Sequence, residues 1–238
     1  MQNELLITAS LAVSYCSLLL FYRLAGKAGI YSWIAVSTII ANIEVTILVY
    51  AFGIEQTLGN TLFASSFLAT DILSERYGKR HADKGVLIGI LTSGIFIVFT
   101  VLWRLYEPSP QDIAMPAVRA VFGNTPRILA ASQIAYIVSE FLDVKLYHAI
   151  WKITENKSGD RKKFLWLRNN AATMAAQLIN IIIFNTGAFA GIYDSRTLLS
   201  ITTSCYVIYV FTSLMDTPFL YLARRMRHRD DSTTEEKD

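Results

Sequence analysis

The stretch Leu58–Leu73, with the sequence LGNTLFASSFLATDIL, decides the topology that the rest of the chain can adopt. It is apolar enough to suggest a membrane-spanning helix, but it is short for a bilayer core, which takes roughly 17–25 residues. It also carries several polar side chains, namely Asn60, Thr61, Ser65, Ser66, Thr70 and Asp71. Hydropathy alone therefore leaves this stretch undecided, and the flanking sequence has to settle whether it crosses a membrane.

The rest of the chain is typical of an integral membrane protein. Its 238 residues are 53% hydrophobic and 17% charged, whereas a soluble domain carries about 25% charged residues. The first apolar run has no positive region before it, unlike a signal peptide, so we expect an uncleaved span. The six further runs long enough to cross a bilayer are Leu5–Tyr22, Tyr31–Phe52, Val86–Tyr106, Ile128–Trp151, Leu167–Ile192 and Leu198–Leu222.

The distribution of Lys and Arg favours a crossing at Leu58–Leu73. If this stretch crosses, 17 of the 22 Lys and Arg residues lie on one side, in residues 23–27, 76–84, 152–168 and 224–237. If it does not cross, the most basic loop falls on the opposite side. By the positive-inside rule we predict an all-α bundle of seven crossings, with the N-terminus outside and the C-terminus cytoplasmic. The third crossing is the candidate for irregular backbone.

The domain organisation is simple. We expect one transmembrane domain over residues 1–226, followed by a charged, disordered cytoplasmic tail over residues 227–238. The two cysteines lie in apolar runs and form neither a metal-binding spacing nor a disulfide framework. The three histidines form no HExxH or paired-His spacing. We therefore predict a non-enzyme without catalytic residues, metal or cofactor, which contacts membrane lipid and binds no nucleic acid.

Two of the predicted helices each carry one narrow polar face. On the fifth span, Gln133, Tyr136, Glu140 and Asp143 are spaced 3, 4 and 3 residues apart, and on the sixth, Asn170, Thr173, Gln177 and Asn180 repeat this spacing. At 100° per residue, such positions fall on one side of a helix. Hydrogen bonds between helices could account for the amides. Two carboxylates one turn apart are better explained by a polar site, since ionisable groups inside a span are costly.

Other polar side chains are candidates for the same site. Asn42 lies midway along the second span, and Asp71 and Glu75 share a helix face at the cytoplasmic end of the third. Carboxylates and amides can accept and donate the hydrogen bonds of a purine-like base edge, and aromatic rings can stack on its plane. The same groups would also suit an ammonium solute or a proton relay. The residues alone therefore predict a solute transporter and leave the solute open.

Long motifs then point to a family. They are Ala41–Val45 (ANIEV), Ser65–Lys79 (SSFLATDILSERYGK), Thr125–Arg127 (TPR), Ala135–Val144 (AYIVSEFLDV), Leu165–Asn170 (LWLRNN) and Asp216–Pro218 (DTP). They resemble the bacterial queuosine precursor transporter family, also called the vitamin uptake transporter family, and the resemblance covers most of the chain. It implies a multi-pass protein of the bacterial plasma membrane that imports 7-cyano-7-deazaguanine, 7-aminomethyl-7-deazaguanine or a related base. The alternative is another small solute, such as a vitamin or a purine.

The resemblance also carries over the binding residues, position by position. Many members look to have Gln where this chain has Glu140 and Asp where it has Asn180, so the acidic group has changed helix. The family is also similar to the substrate-binding subunits of energy-coupling-factor vitamin transporters. The first span offers Ser10 and Ser14 but no Ala-xxx-Ala docking pattern, which leaves an ATPase partner unsupported and open. The predicted substrate-binding residues are Asn42, Asp71, Glu75, Gln133, Tyr136, Glu140, Asp143, Arg168, Asn169, Asn170, Gln177 and Asn180.

Overall fold

A computed structural model describes residues 2–123, 126–158, 160 and 163–226 of the chain. Helices dominate it, as predicted. The helices are α1 (Gln2–Glu44), α2 (Gly59–Tyr77), α3 (Lys79–Leu105), α4 (Met115–Gly123), α5 (Pro126–Ser158), α6 (Leu165–Phe189) and α7 (Ser195–Arg225). A two-stranded antiparallel hairpin, β1 (Leu48–Ala51) and β2 (Ile54–Thr57), pairs Leu48 with Thr57. The predicted tail, residues 227–238, lies outside the described residues.

Helix α1 folds back on itself at Gly26, which has a φ of 55° and a ψ of −135°. Positive φ is easily reached only by glycine. The two arms lie close beyond the turn, because a Cβ at Gly29 would collide with the backbone carbonyl of Phe21. At the far end, the amide of Asn3 donates to the carbonyl of Tyr50 at 2.9 Å. The arms are therefore antiparallel, and they correspond to the first two predicted spans.

The predicted end of the second span was wrong. Helix α1 ends at Glu44, and the apolar residues up to Phe52 enter the hairpin instead of continuing the helix. The sixth predicted span is also too long, since α6 ends at Phe189. The connection between α3 and α5 contains the short helix α4.

Seven helical lengths run between two ends of the bundle: the two arms of α1, then α2, α3, α5, α6 and α7. At one end Arg76 donates to the carbonyl of Arg224 at 3.2 Å, and the hydroxyl of Tyr31 lies 2.9 Å from His81. We call this the basic end. At the other end Arg127 donates to the carbonyl of Gly187 at 2.6 Å, and the β-hairpin lies there too. We call it the hairpin end.

Helix α2 occupies the middle of the bundle, against α1, α3, α5 and α7. It is a regular helix from Gly59 to Tyr77, which answers a question that the sequence left open. Nearly all of its side chains from Thr61 to Ser74 are buried, which explains how a polar sequence is tolerated at this depth. Four other helices, α1, α3, α6 and α7, are each long and apolar enough to cross a membrane.

Candidate functional site

Three carboxyl groups from two helices meet in the middle of the bundle. Asp71 comes from α2, and Glu140 and Asp143 come from neighbouring turns of α5; all three are 0% exposed. We call these three residues the carboxyl centre. Glu140 is well satisfied, because one of its oxygens accepts from Ser66 at 2.7 Å and the other from Thr70 at 3.3 Å. The predicted polar face of α5 thus points into protein and not into lipid.

The other two carboxyl groups share a single hydroxyl donor. The Thr173 hydroxyl on α6 lies 3.1 Å from Asp143 Oδ1 and 3.4 Å from Asp71 Oδ2. Because a hydroxyl has one hydrogen, it can satisfy only one of these oxygens at a time. The remaining oxygens, Asp71 Oδ1 and Asp143 Oδ2, are buried without a hydrogen-bond partner. The pair therefore has room for further donors, from a shared proton or from a ligand.

A buried amide next to this pair also lacks partners. Gln177 follows Thr173 by one helical turn on α6, so both side chains lie on the same helix face. It is 1% exposed, and neither its oxygen nor its nitrogen has a hydrogen-bond partner. Buried polar atoms in proteins are almost always paired, and each exception calls for an explanation. An amide with both a free donor and a free acceptor is what a hydrogen-bonding ligand would use.

The carboxyl centre has no basic partner among the described residues. Arg168 is the one fully buried arginine among the described residues, and it lies at the basic end and not at the carboxyl centre. It forms a 2.6 Å ion pair with Glu75 and lies over the ring of Trp151, 4.2 Å from its centroid. Tyr147 donates to Glu75 at 2.9 Å, and Arg224 approaches the same carboxylate at 3.5 Å. We call Glu75, Tyr147, Arg168 and Arg224 the arginine cluster.

Two further predicted residues link helices on the α3 side of the bundle. The amide of Asn42 donates to Ser93 at 3.0 Å, and Ser93 donates in turn to Gln133. Tyr136 is buried with its hydroxyl 3.5 Å from Ser66, next to the Glu140 contact. Its ring packs against Phe63, with 5.8 Å between centroids.

The remaining predicted residues bind helices α6 and α7 to their neighbours. Asn169 donates to Asp216 at 2.7 Å, and Asn170 donates to Thr217 at 2.7 Å. These contacts lie beside Pro218, the proline inside α7. Asn180 donates to Ser139 on α5 at 2.9 Å. The predicted residues thus form several separate polar groups, and only Asp71, Asp143, Asn169 and Gln177 among them leave buried side-chain atoms unpaired.

A cavity of about 360 Å³ opens at the hairpin end, between the β-hairpin, α2, α6 and α7. Its volume lies in the range of small-molecule sites. Asn180 was predicted as a site residue, whereas the other polar residues of the cavity wall were not. Asn60 could have been suspected from the polar content of its short segment. Gln56 could not, since its position depends on the hairpin. The polar and aromatic lining includes Gln56, Asn60, Asn180, Phe184, Asn185 and Tyr209.

A bundle of apolar helices with an unsatisfied polar interior and a cavity at one end is the architecture of a membrane transporter for small solutes. Comparison with known proteins agrees. Residues 57–223 match the family described as "Putative vitamin uptake transporter". The chain is 38% identical to the "Probable queuosine precursor transporter" of Bacillus subtilis (strain 168) over 224 residues, which cover 93% of this chain and 95% of that protein. The chain therefore belongs to this transporter family. No solved structure matches it.

Proposed function

We propose that the protein imports a queuosine precursor, 7-cyano-7-deazaguanine or 7-aminomethyl-7-deazaguanine, across the bacterial plasma membrane. The observation that carries this proposal is the set of unpaired buried atoms around Thr173: Asp71 Oδ1, Asp143 Oδ2 and both amide atoms of Gln177. A guanine-type edge presents an N–H and an NH₂ group side by side, next to a carbonyl. The carboxyl oxygens can accept from the first two, and the Gln177 NH₂ can donate to the carbonyl.

The hydrogen bonds between the base edge and these buried groups are stronger than the same bonds would be in water. An ionised carboxyl oxygen that accepts an N–H bond forms a charge-assisted hydrogen bond, which is roughly twice as strong as a neutral one. The protein atoms are already desolvated, so binding the base restores hydrogen bonds that the empty site lacks. A base without the NH₂ group would leave one of these oxygens unpaired, and the site would discriminate against it.

The proposed topology has seven crossings, with the hairpin end outside and the basic end cytoplasmic. Hydrogen bonds between helices at the basic end, and others between helices at the hairpin end, support this topology. The described part of the basic end holds Arg23, Lys27, Arg76, Lys79, Arg80 and Lys84, as the positive-inside rule requires. In this orientation the cavity faces outward and the arginine cluster closes the cytoplasmic side. In the proposed function the substrate crosses the membrane chemically unchanged.

The test uses cells that cannot synthesise queuosine precursors and lack any other route for their uptake. When the protein is expressed and 7-cyano-7-deazaguanine or 7-aminomethyl-7-deazaguanine is fed, queuosine should reappear in tRNA, and without the protein it should not. Unlabelled guanine, adenine and candidate vitamins are then added as competitors of labelled precursor uptake. Failure of every precursor to restore queuosine would overturn the proposal. Stronger competition by a vitamin would assign the protein to that solute instead.

A further inference from the structure

The hairpin-end cavity differs in chemistry from the carboxyl centre. None of the described side chains that line it is charged. Its wall combines amides with aromatic rings, including Phe184, Phe189, Tyr193 and Tyr209. Rings offer a face on which a planar solute can stack without regard to its charge. The cavity therefore suits an uncharged, planar solute.

One buried amide in the cavity wall has no partner. Gln56 lies on β2, and its side chain is 5% exposed. Its Nε2 atom is buried without a hydrogen-bond acceptor. Among the described residues, β2 pairs with β1 and with no other strand. The hairpin therefore places this amide at the cavity with no second strand beside it. A donor that is buried, unpaired and placed at a cavity wall indicates a ligand with an acceptor atom.

Neighbouring amides are held in fixed orientations by the protein. The Asn60 oxygen accepts from Tyr209 at 2.8 Å and from Thr57 at 3.3 Å, which leaves its NH₂ group to donate elsewhere. The Asn185 NH₂ group donates to Thr202 at 3.0 Å, which leaves its oxygen as an acceptor. The cavity wall thus offers both donors and acceptors, as the edge of a heteroaromatic base requires.

Packed side chains connect the cavity to the carboxyl centre. A smaller space beneath it shares Asn60, Asn180 and Phe184 with the cavity and extends to Phe63. Phe63 packs on Tyr136, whose hydroxyl adjoins Ser66 and, through it, Glu140. A solute that enters at the hairpin end would therefore meet the amide-lined cavity before it reaches the carboxyl groups.

We propose that the hairpin-end cavity is a binding site in its own right, which takes an uncharged, planar heteroaromatic base before that base reaches the carboxyl centre. This inference rests on the proposed function for the identity of the base, and of the two precursors it fits 7-cyano-7-deazaguanine, because the aminomethyl group of the other is protonated and charged at neutral pH. It adds a second, outer site to the transporter. Its selection is by shape and neutral hydrogen bonding, whereas the carboxyl centre selects for the donor edge of the base.

Native Cys205 provides a direct probe, because it lines the cavity and the chain has only one other cysteine, the exposed Cys16. In the purified Cys16→Ser protein, modification of Cys205 by methyl methanethiosulfonate is timed with and without 7-cyano-7-deazaguanine. At about four times its dissociation constant, the base should slow the reaction about fivefold by occupancy. Asp143→Asn in the same background should keep this protection, since the outer site does not depend on the carboxyl centre.

A second reporter covers the case of an unreactive Cys205. Ser204 also lines the cavity and is less buried, so Ser204→Cys is placed in the Cys16→Ser/Cys205→Ser protein and treated in the same way. Modification of this thiol without protection by the base would overturn the inference. So would a thiol that never reacts, because the cavity would then be closed. Loss of protection in Asp143→Asn would show one site and not two.

A matched pair of fillings tests the role of the cavity in uptake. Ser204→Trp should fill the cavity and lower precursor uptake at least about tenfold, whereas Thr203→Trp places the same ring on the exposed side of α7 and should leave uptake unchanged. Equal uptake by both variants would contradict the inference while leaving the proposed function intact. Protection of Cys205 by guanine, in a protein that imports no deazaguanine, would keep the outer site and overturn only the proposed substrate.

Discussion

Asp71 and Glu75 lie one turn apart on the same helix, yet they belong to two different kinds of polar region. Glu75 is part of the arginine cluster, where it is paired with Arg168 at 2.6 Å and accepts from Tyr147 at 2.9 Å. Asp71 shares one threonine hydroxyl with Asp143 and keeps a buried oxygen unpaired. Both regions look alike in the sequence, as carboxylates in an apolar run. From this difference in hydrogen-bond satisfaction we propose that the first region has a structural role and that the second binds the ligand.

Breaking the arginine cluster should have the largest effect, and the effect should be on stability. Arg168→Met removes the 2.6 Å partner of the buried Glu75 carboxylate and leaves it the longer contact with Arg224. Breaking a buried ion pair costs about 3–5 kcal/mol, and the variant also loses the contact with Trp151. We expect a large fall in the thermal unfolding midpoint of the purified protein and in its amount in the membrane. Arg196→Met, at an exposed position of α7, is the matched control and should change neither.

The double variant Glu75→Gln/Arg168→Met sharpens this prediction. Removing both charges of a buried pair is often nearly neutral, so the double variant should recover much of the lost stability. If it is as unstable as Arg168→Met alone, the ion pair is not the reason for the loss.

Replacing a carboxyl group of the carboxyl centre by an amide should lower uptake without lowering the amount of protein in the membrane. Asp143→Asn keeps the size of the side chain but replaces one acceptor oxygen by a donor. We expect labelled precursor uptake to fall about tenfold or more, equivalent to about 1.4 kcal/mol, with the protein still present in the membrane. Asp83→Asn, at a surface pair with Lys79, is the control and should take up precursor normally. Normal uptake by Asp143→Asn would show that this carboxyl group does not bind the substrate.

Gln177 offers a test in which stability and function should change in opposite directions. Gln177→Leu removes an amide whose two buried atoms have no partners, and an unsatisfied buried polar group costs about 1–3 kcal/mol. The thermal midpoint should therefore stay the same or rise, while uptake falls several-fold. Gln111→Leu, in an exposed connection, serves as the control. A marked loss of stability in Gln177→Leu would mean that its amide is paired in the folded protein.

The smallest effect is expected at an exposed carboxylate outside the helices. Asp194 caps α7 by accepting from the backbone N–H groups of Arg196 and Thr197, and hydrogen bonds from Thr197 lower the pKa of Asp194 below its ordinary 3.8. A lowered pKa stabilises the fold above the ordinary value, and this contribution is lost as the pH falls through the lowered one. Asp194→Ala should therefore reduce the thermal midpoint slightly at pH 7. The difference should disappear in acid; one that persisted there would contradict the capping role.

Much of the helical layout could be predicted from the sequence. The Lys and Arg distribution favoured a crossing at Leu58–Leu73, where the structure has the helix α2, and the repeated 3, 4, 3 spacing predicted one narrow polar face on each of α5 and α6. The contacts of Thr173 with Asp143 and of Asn180 with Ser139 bring these two helices together. These features depend on helical period and on charge, which a single sequence displays directly.

The hairpin and the pairing of charges could not be predicted in the same way. Residues Leu48–Ala51 are apolar and follow a helix without a break, so their pattern does not distinguish a strand from further helix. The pairing of Glu75 with Arg168 joins positions far apart in the sequence, and it depends on how α2 and α6 are aligned along their lengths. Without that alignment, Glu75 and Asp71 were assigned to one site. The cavity lining was missed for the same reason, because Gln56 reaches it only through the hairpin.

The most direct test of the carboxyl centre is equilibrium binding of labelled 7-cyano-7-deazaguanine to the purified protein and its Asp143→Asn variant. Cys205 protection reports the outer site separately, so binding is measured with the cavity open and resolved into its two components. We predict that the protein binds two bases per chain, and that Asp143→Asn weakens the binding of one of them about tenfold or more. Equal affinity of the two proteins would contradict the claim that the carboxyl centre binds the base.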